Sequence, residues 1–277
     1  MSDNLQYFRQ HKLPHIWCAG CGHGTVINAF ATVAAKLGLD KNNTAIVSGI
    51  GCSSRAPGYL DFDTLHTAHG RALAFATGVK HAKPEMNVIV VMGDGDCAAI
   101  GGNHFIHAAR RNIDITTIVM NNSIYGMTSG QFSPMTPKGM AGTTAPYGNV
   151  ERAFDFTKLS IGAGATYVAK TTSYHIKMLQ DLIEKAILHK GFSVVEAIVQ
   201  CPTYYGRRNK IGSAVDMLNH FKDRAVNVKA AEKMTPEQLA GKFLIGELHY
   251  EDAPEFTAEY EKQVAEIQKS IKAKGGA

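Results

Sequence analysis

Charge is scarce in this sequence. Asp, Glu, Lys and Arg make up 19% of its 277 residues, whereas 45% are hydrophobic. So little charge beside so much apolar material excludes a disordered ensemble. Long hydrophobic runs are also missing: none reaches the roughly 18 residues a membrane-crossing helix requires, so no membrane partner is expected. The N-terminus, MSDNLQYFRQHKLPHIW, lacks the apolar stretch of a secretory signal, and the expectation is a soluble, cytoplasmic protein. The net charge of +5 is diffuse, which leaves no case for a nucleic-acid partner. Cysteine numbers only 5, an odd count that argues against a secreted disulfide framework. The length suffices for one large domain or two small ones around a buried core.

What is present alternates. Continuous β-branched runs at Thr44–Ser48, Asn87–Met92, Ile115–Met120, Ala165–Ala169 and Phe192–Val199 predict strands buried on both faces, as in a parallel sheet. Helical patterns fill the gaps, over Thr25–Leu37, Ala68–His81, Ala99–Arg111, Val150–Ile161 and Ser173–His189. This alternation predicts an α/β fold with a doubly wound, mostly parallel sheet, whose ligands lie at the carboxyl ends of the strands. After about residue 213 the chain turns charged and helical. The expected division is a sheet-bearing domain over 1–213 and a helical arm over 214–277 that serves subunit docking. There is no internal repeat, low-complexity tract or linker.

Two groups of residues carry chemistry. The strand NVIVVM runs into GDGDCAAIGG, and the next strand ends in NNSIYGM. A diphosphate held through a divalent ion needs hard oxygen ligands, close backbone and a nearby helix start. Asp94 offers a carboxylate, Gly93 and Gly95 allow close approach, and Asn122 offers an amide oxygen at the end of the following strand. Gly-Asp-Gly alone is also an ordinary turn; the paired strand-end placement is what favours the metal reading. The second group is cysteine: Cys18 and Cys21 in WCAGCGHG, Cys52 in GIGCSSR and Cys201 in CPTYYGRR, all in Gly- or Pro-bearing turns. Four thiolates suit an iron–sulfur cluster or a structural zinc, and residue types alone leave both open. Cys97, inside the GDGD turn, reads as a small buried residue. His104 and His107 read as packing or surface groups. His23 is expected to orient the cysteine loop or cap the next helix.

GDG followed by NN resembles the thiamine diphosphate motif of thiamine-dependent enzymes. The blocks WCAGCGHG, GIGCSSR, LHTAHGRA, GDGD and NNSIYGMTSGQFSP, in order between Trp17 and Arg208, resemble the β subunit of 2-oxoacid:ferredoxin oxidoreductases. The resemblance implies Mg²⁺ on Asp94, Asn122 and the carbonyl of Ile124, and one [4Fe–4S] cluster on Cys18, Cys21, Cys52 and Cys201. It implies a thiamine diphosphate pocket drawn from Ile50, Gly51, Cys52 and Ser53, from His69, and from Gly93, Asp94, Gly95 and Asp96. Asn122, Ile124, Gly126 and Met127 would complete the pocket, with His69 hydrogen-bonded to the diphosphate. A helix-start histidine satisfied by backbone is the alternative for His69. An α subunit carrying the pyrimidine domain would complete the active site, as αβ or (αβ)2. The implied reaction is oxidative decarboxylation of a 2-oxoacid to an acyl-CoA, with coenzyme A as co-substrate and electrons passed to ferredoxin, or its reverse in CO₂ fixation.

The stretch YGMTSGQFSPMTP is more similar to the 2-oxoglutarate branch of that family than to its pyruvate branch. A dicarboxylate needs a partner for its distal carboxylate, and Arg55 is the candidate, because a guanidinium grips a carboxylate with two bonds. Pairing with Asp61 or Asp63, or contact with the α subunit, is the alternative for Arg55. Thr128, Ser129 and Gln131 are candidate polar contacts. A pyruvate- or branched-chain-specific member, a non-redox thiamine enzyme with structural zinc, and a non-catalytic binding subunit are the competing functions.

Overall fold

The computed structural model describes residues 3–274. Its strands are β1 (Thr44–Ser48), β2 (Asp63–His66), β3 (Asn87–Gly93), β4 (Ile115–Asn121), β5 (Ile124–Tyr125) and β6 (Gln131–Phe132). They continue with β7 (Tyr167–Thr172), β8 (Phe192–Ile198), β9 (Ala225–Asn227) and β10 (Phe243–Tyr250). Among the described residues these form one eight-stranded sheet in the order β2-β1-β3-β4-β8-β7-β10-β9, with β5 and β6 paired apart as a small hairpin. From β2 to β7 every pairing is parallel, and β10 joins antiparallel to β7. The five strands expected from β-branched runs are all in the sheet.

Burial on both faces explains why those runs do not alternate in polarity. Ile89 and Val91 face a layer containing the helices His23–Leu37 and Ile176–Leu188. Val88, Val90 and Met92, one residue out of phase, face the helices Ala72–Ala82 and Gly102–Arg110. Each large side chain so buried contributes about 1.5–3 kcal/mol.

The departures from expectation have local causes. The first helix begins at His23 and ends where Gly38 turns left-handed, at φ 61, so that its N–H bonds back to Ala34 and Ala35. The helix expected from Ala68 starts at Ala72, because residues 67–71 form a loop at the sheet's edge. The one expected over Ala99–Arg111 is split into a π-helical turn, Asp96–Ile100, and the α-helix Gly102–Arg110. The pattern at Val150–Ile161 shortens to Phe156–Gly162, capped by the Asp155 carboxylate on the amide of Lys158. Strand β2 was not expected: all four residues of DTLH are exposed, so no buried pattern marks it. The segment after residue 213 is not purely helical. It contains the helices Ala214–Arg224 and Phe256–Lys274, but between them β9 and β10 extend the main sheet, which therefore runs across the expected boundary. No described helix is long and apolar enough to cross a membrane.

Candidate functional site

The loops that leave β1, β2, β3 and β4 at their carboxyl ends surround one cleft of about 580 Å³, partly open to solvent. Asp94, directly after β3, is buried at its centre. Burial pushes its carboxyl up to about 7, against hydrogen bonds from the Ser133 hydroxyl and the backbone amides of Gly95 and Asn122. Asn122 follows β4, and its Oδ1 accepts from the amide of Ile124 at 3.2 Å. Ser123, at φ 59, makes that turn tight; Asn121 Oδ1 holds its amide at 3.0 Å, and the Thr136 hydroxyl holds its carbonyl at 2.5 Å. A carboxylate, an amide oxygen and a backbone carbonyl thus lie on adjacent strand ends.

The glycines of the motif make room for the chain's own side chains. A Cβ on Gly95 would strike the ring of Tyr125, whose hydroxyl donates to the Gly95 carbonyl at 3.2 Å. One on Gly93 would lie 3.1 Å from Ser53 Oγ. Asp96, the first residue of the π turn, is buried, and its Oδ1 lies 2.6 Å from His69 Nδ1. Burial raises its carboxyl; the amides of Gly70 and Ile50 and the imidazole oppose that rise. Ile50, Gly51, Cys52, Gly126 and Met127 complete the cleft wall, so every residue expected in the cofactor pocket borders this one cavity.

A second cavity, of about 650 Å³ and also partly open to solvent, adjoins the first through the shared walls Cys52, Asn122, Gly126 and Met127. Cys18, Cys21, Cys52 and Cys201 border it together, while Cys97 is buried elsewhere, under the helices of the sheet's other face. Burial, and then the proximity of the other three thiols, pushes Cys21 up to about 12. Cys52 is raised to about 11 by burial and by Cys201 and Cys18, with Arg55 acting in the opposite direction. His23, at the head of the first helix, is buried, stacks on Trp17 and approaches Cys21 Sγ with Nδ1 at 2.9 Å. Trp17 in turn donates its indole N–H to the Cys52 carbonyl at 2.7 Å.

Residues 49–197 match the model of the C-terminal TPP-binding domain of thiamine pyrophosphate enzymes. The 2-oxoglutarate synthase subunit KorB of Methanothermobacter marburgensis is 54% identical over 250 residues, covering 90% of this chain and 87% of its own. The subunit of the same name from Methanocaldococcus jannaschii is 51% identical over 267 residues, covering 96% and 99%. A solved structure, 2-oxoglutarate:ferredoxin oxidoreductase from Magnetococcus marinus with 2-oxoglutarate, coenzyme A and succinyl-CoA bound, aligns at a TM-score of 0.84 and 35% identity. It covers 97% of this chain and 90% of its own. The chain belongs to the β subunits of the 2-oxoacid:ferredoxin oxidoreductases.

The donor sets of this β subunit suit the groups its family uses. Among the described residues no cationic side chain pairs with the buried carboxylate of Asp94, the environment in which a bound divalent ion restores the charged form. Cys21, Cys52 and Cys201, raised by burial and by neighbouring thiols, need a cationic partner to hold them as thiolates. Among the described residues no three His, Cys, Asp or Glu side chains stand close enough to share one metal ion. A tetrahedral zinc needs that convergence, whereas a cubane takes each thiolate on a separate iron.

Arg55 is exposed and borders the cavity of the thiols rather than the cleft of Asp94. Neither acidic residue weighed as its partner takes it: Asp61 pairs with Lys41 at 2.6 Å, and no ion pair of Asp63 is found among the described residues. Thr128 and Gln131 bond to each other, at 2.6 and 2.7 Å, and Ser129 sits at φ 87 in the loop between them. His104 is partly buried and His107 exposed on their helix. Sequence reasoning missed Tyr125, Ser133 and Thr136, whose bonds to Gly95, Asp94 and Ser123 join loops apart in sequence and so leave no local motif.

Proposed function

We propose that this β subunit supplies the diphosphate half of a 2-oxoglutarate:ferredoxin oxidoreductase, converting 2-oxoglutarate and coenzyme A to succinyl-CoA and CO₂. The observation that carries the reading is the meeting of Asp94 with the Asn122 turn at adjacent strand ends, inside the segment that matches the TPP-binding model. Asp94, Asn122 Oδ1 and the Ile124 carbonyl hold Mg²⁺, and His69 faces the diphosphate. Cys18, Cys21, Cys52 and Cys201 hold one [4Fe–4S] cluster beside the cleft. Bound there, thiamine diphosphate supplies the electron sink for loss of CO₂, and the cluster supplies one-electron transfer toward ferredoxin.

The chain's own residues do the rest. Ser133 and the amides of Gly95 and Asn122 keep the Asp94 carboxylate aimed into the cleft. The Asn121 and Thr136 bonds keep the Ile124 carbonyl in place. An α subunit brings the pyrimidine domain and closes the cavity against water. The relatives named 2-oxoglutarate synthase support the choice of acid. Arg55, exposed and beside Cys52, is the cation we assign to the distal carboxylate. Rates of the reconstituted αβ complex on 2-oxoglutarate, pyruvate and a branched 2-oxoacid test this. Highest kcat/KM on 2-oxoglutarate is expected, with Arg55→Met costing that acid about tenfold more than pyruvate. A preference for pyruvate overturns the substrate; equal losses overturn Arg55's role.

A further inference from the structure

Asp96 is expected among the residues that bind the cofactor, yet its bonds turn inward. It is 3% exposed, and every hydrogen bond it accepts falls on one oxygen: Oδ1 lies 2.6 Å from His69 Nδ1, 2.6 Å from Gly70 N and 3.3 Å from Ile50 N. Those donors belong to the loops after β2 and β1, and Asp96 itself follows β3, so one carboxylate ties three adjacent strand ends. The packing admits nothing bulkier. A Cβ on Gly49 would collide with the Asp96 carboxylate, and one on Gly70 would lie 2.6 Å from Gly101 N.

We infer that Asp96 is a positioning residue acting through His69: it fixes the rotation of the imidazole and holds the proton on Nδ1, so that Nε2 is the atom turned to the cleft. This rests on reading the cleft as the thiamine diphosphate site. The same oxygen already accepts from the amides of Gly70 and Ile50, so it meets the imidazole as an acceptor and the nitrogen facing it carries the proton. His69 keeps 35% of its side chain exposed and borders the cleft, and Nε2 has no hydrogen-bond partner among the described residues. The ring of Tyr125 packs edge-on against it, with centroids 6.0 Å apart, and limits tilting. A buried acid that fixes one nitrogen of a histidine so that the other can work is the general logic of oriented imidazoles.

A thermodynamic cycle on the αβ complex separates this role from that of a simple knot between loops. Affinity of the cofactor-free complex for thiamine diphosphate, with Mg²⁺ present, is measured by calorimetry for wild type, His69→Gln, Asp96→Ala and the double variant. Asp96→Ala is expected to weaken binding by about 10- to 100-fold, as loss of an orienting partner does. In the His69→Gln background it should add no more than about twofold. Asp96→Asn, which keeps an oxygen at the acceptor position, should recover most of the affinity. Equal losses from Asp96→Ala in both backgrounds would overturn the inference.

Should Asp96→Ala fail to assemble, the wild-type complex still decides. With ¹⁵N-labelled histidine in the β subunit and His69 assigned by its loss in His69→Gln, neutral His69 is expected protonated on Nδ1. That is the opposite of the tautomer a free histidine favours in water, and a proton on Nε2 instead would overturn the inference. A wild-type complex that takes up no thiamine diphosphate refutes the reading of the cleft, while the tautomer still tests Asp96.

Discussion

The two cavities share a wall and are built in opposite ways. In the Asp94 cleft the chain holds its polar side chains by hydrogen bonds: Ser133 bonds Asp94, His69 bonds Asp96, and Ile124 bonds Asn122. In the neighbouring cavity the sulfurs are met by His23 at Cys21 and by the amides of Tyr204 and Tyr205 at Cys201, and by no acid or hydroxyl among the described residues. The cleft is preorganised by hydrogen bonds. Cys21, Cys52 and Cys201 are raised by their burial, so their thiolate forms depend on a bound cation. A preformed polar site tolerates loss of its ligand; a site of mutually repelling thiolates does not.

Substitutions should therefore split by cavity. The largest effect is expected at Cys201, the most distant of the four in sequence: Cys201→Ala should remove the iron and its visible absorption from anaerobically purified protein. Thiamine diphosphate affinity should hold within about threefold, since Cys201 does not border the cleft. Iron analysis beside calorimetry checks both, and full iron content would remove Cys201 from the ligand set. Asp94→Ala should reverse the pattern, keeping the iron while Mg²⁺-dependent cofactor affinity falls by about 100-fold or more. Asn122→Ala should cost about tenfold, because a neutral amide binds the ion less strongly than a carboxylate.

The cleft was largely legible in the sequence because consecutive strand ends carry its residues, and a parallel sheet puts such ends side by side. The cysteines were legible as candidate metal ligands from the Gly- and Pro-bearing turns they occupy, but the choice of an iron–sulfur cluster over zinc came through family resemblance. Ser133 could not be found from pattern, since its hydroxyl reaches Asp94 only after the β5–β6 hairpin folds back. Strand β10 stayed hidden because FLIGELHY sits between charged helical stretches and has exposed and half-buried positions along it. Arg55 was chosen as a substrate contact from its sequence distance to Cys52, and it lies beside the thiol cavity.

Gly126 sharpens the contrast, because it stands where the cavities meet. A Cβ there would lie 3.3 Å from Cys52 Sγ, 3.8 Å from Asn122 Nδ2 and 3.9 Å from Cys201 Sγ. Gly126→Ala should disturb both functions moderately, each by about two- to tenfold, where the other variants disturb one. An effect on cofactor affinity with no change in the cluster's reduction potential would show that the wall insulates the two sites. The smallest effect belongs to Cys97, buried away from both cavities. Cys97→Ala should leave iron and cofactor unchanged and cost about 1 kcal/mol of stability, measured by denaturant titration.

The four thiols also set a timetable for the protein's making. Cys18 precedes the first strand and Cys201 follows β8, so six of the eight strands of the main sheet must be synthesised before the last sulfur exists. While the chain is still on the ribosome, Cys18, Cys21 and Cys52 can be present with no fourth ligand to close the set. If these four thiols are the ligands of one centre, as proposed, that centre can be completed only after six strands of the sheet have been made.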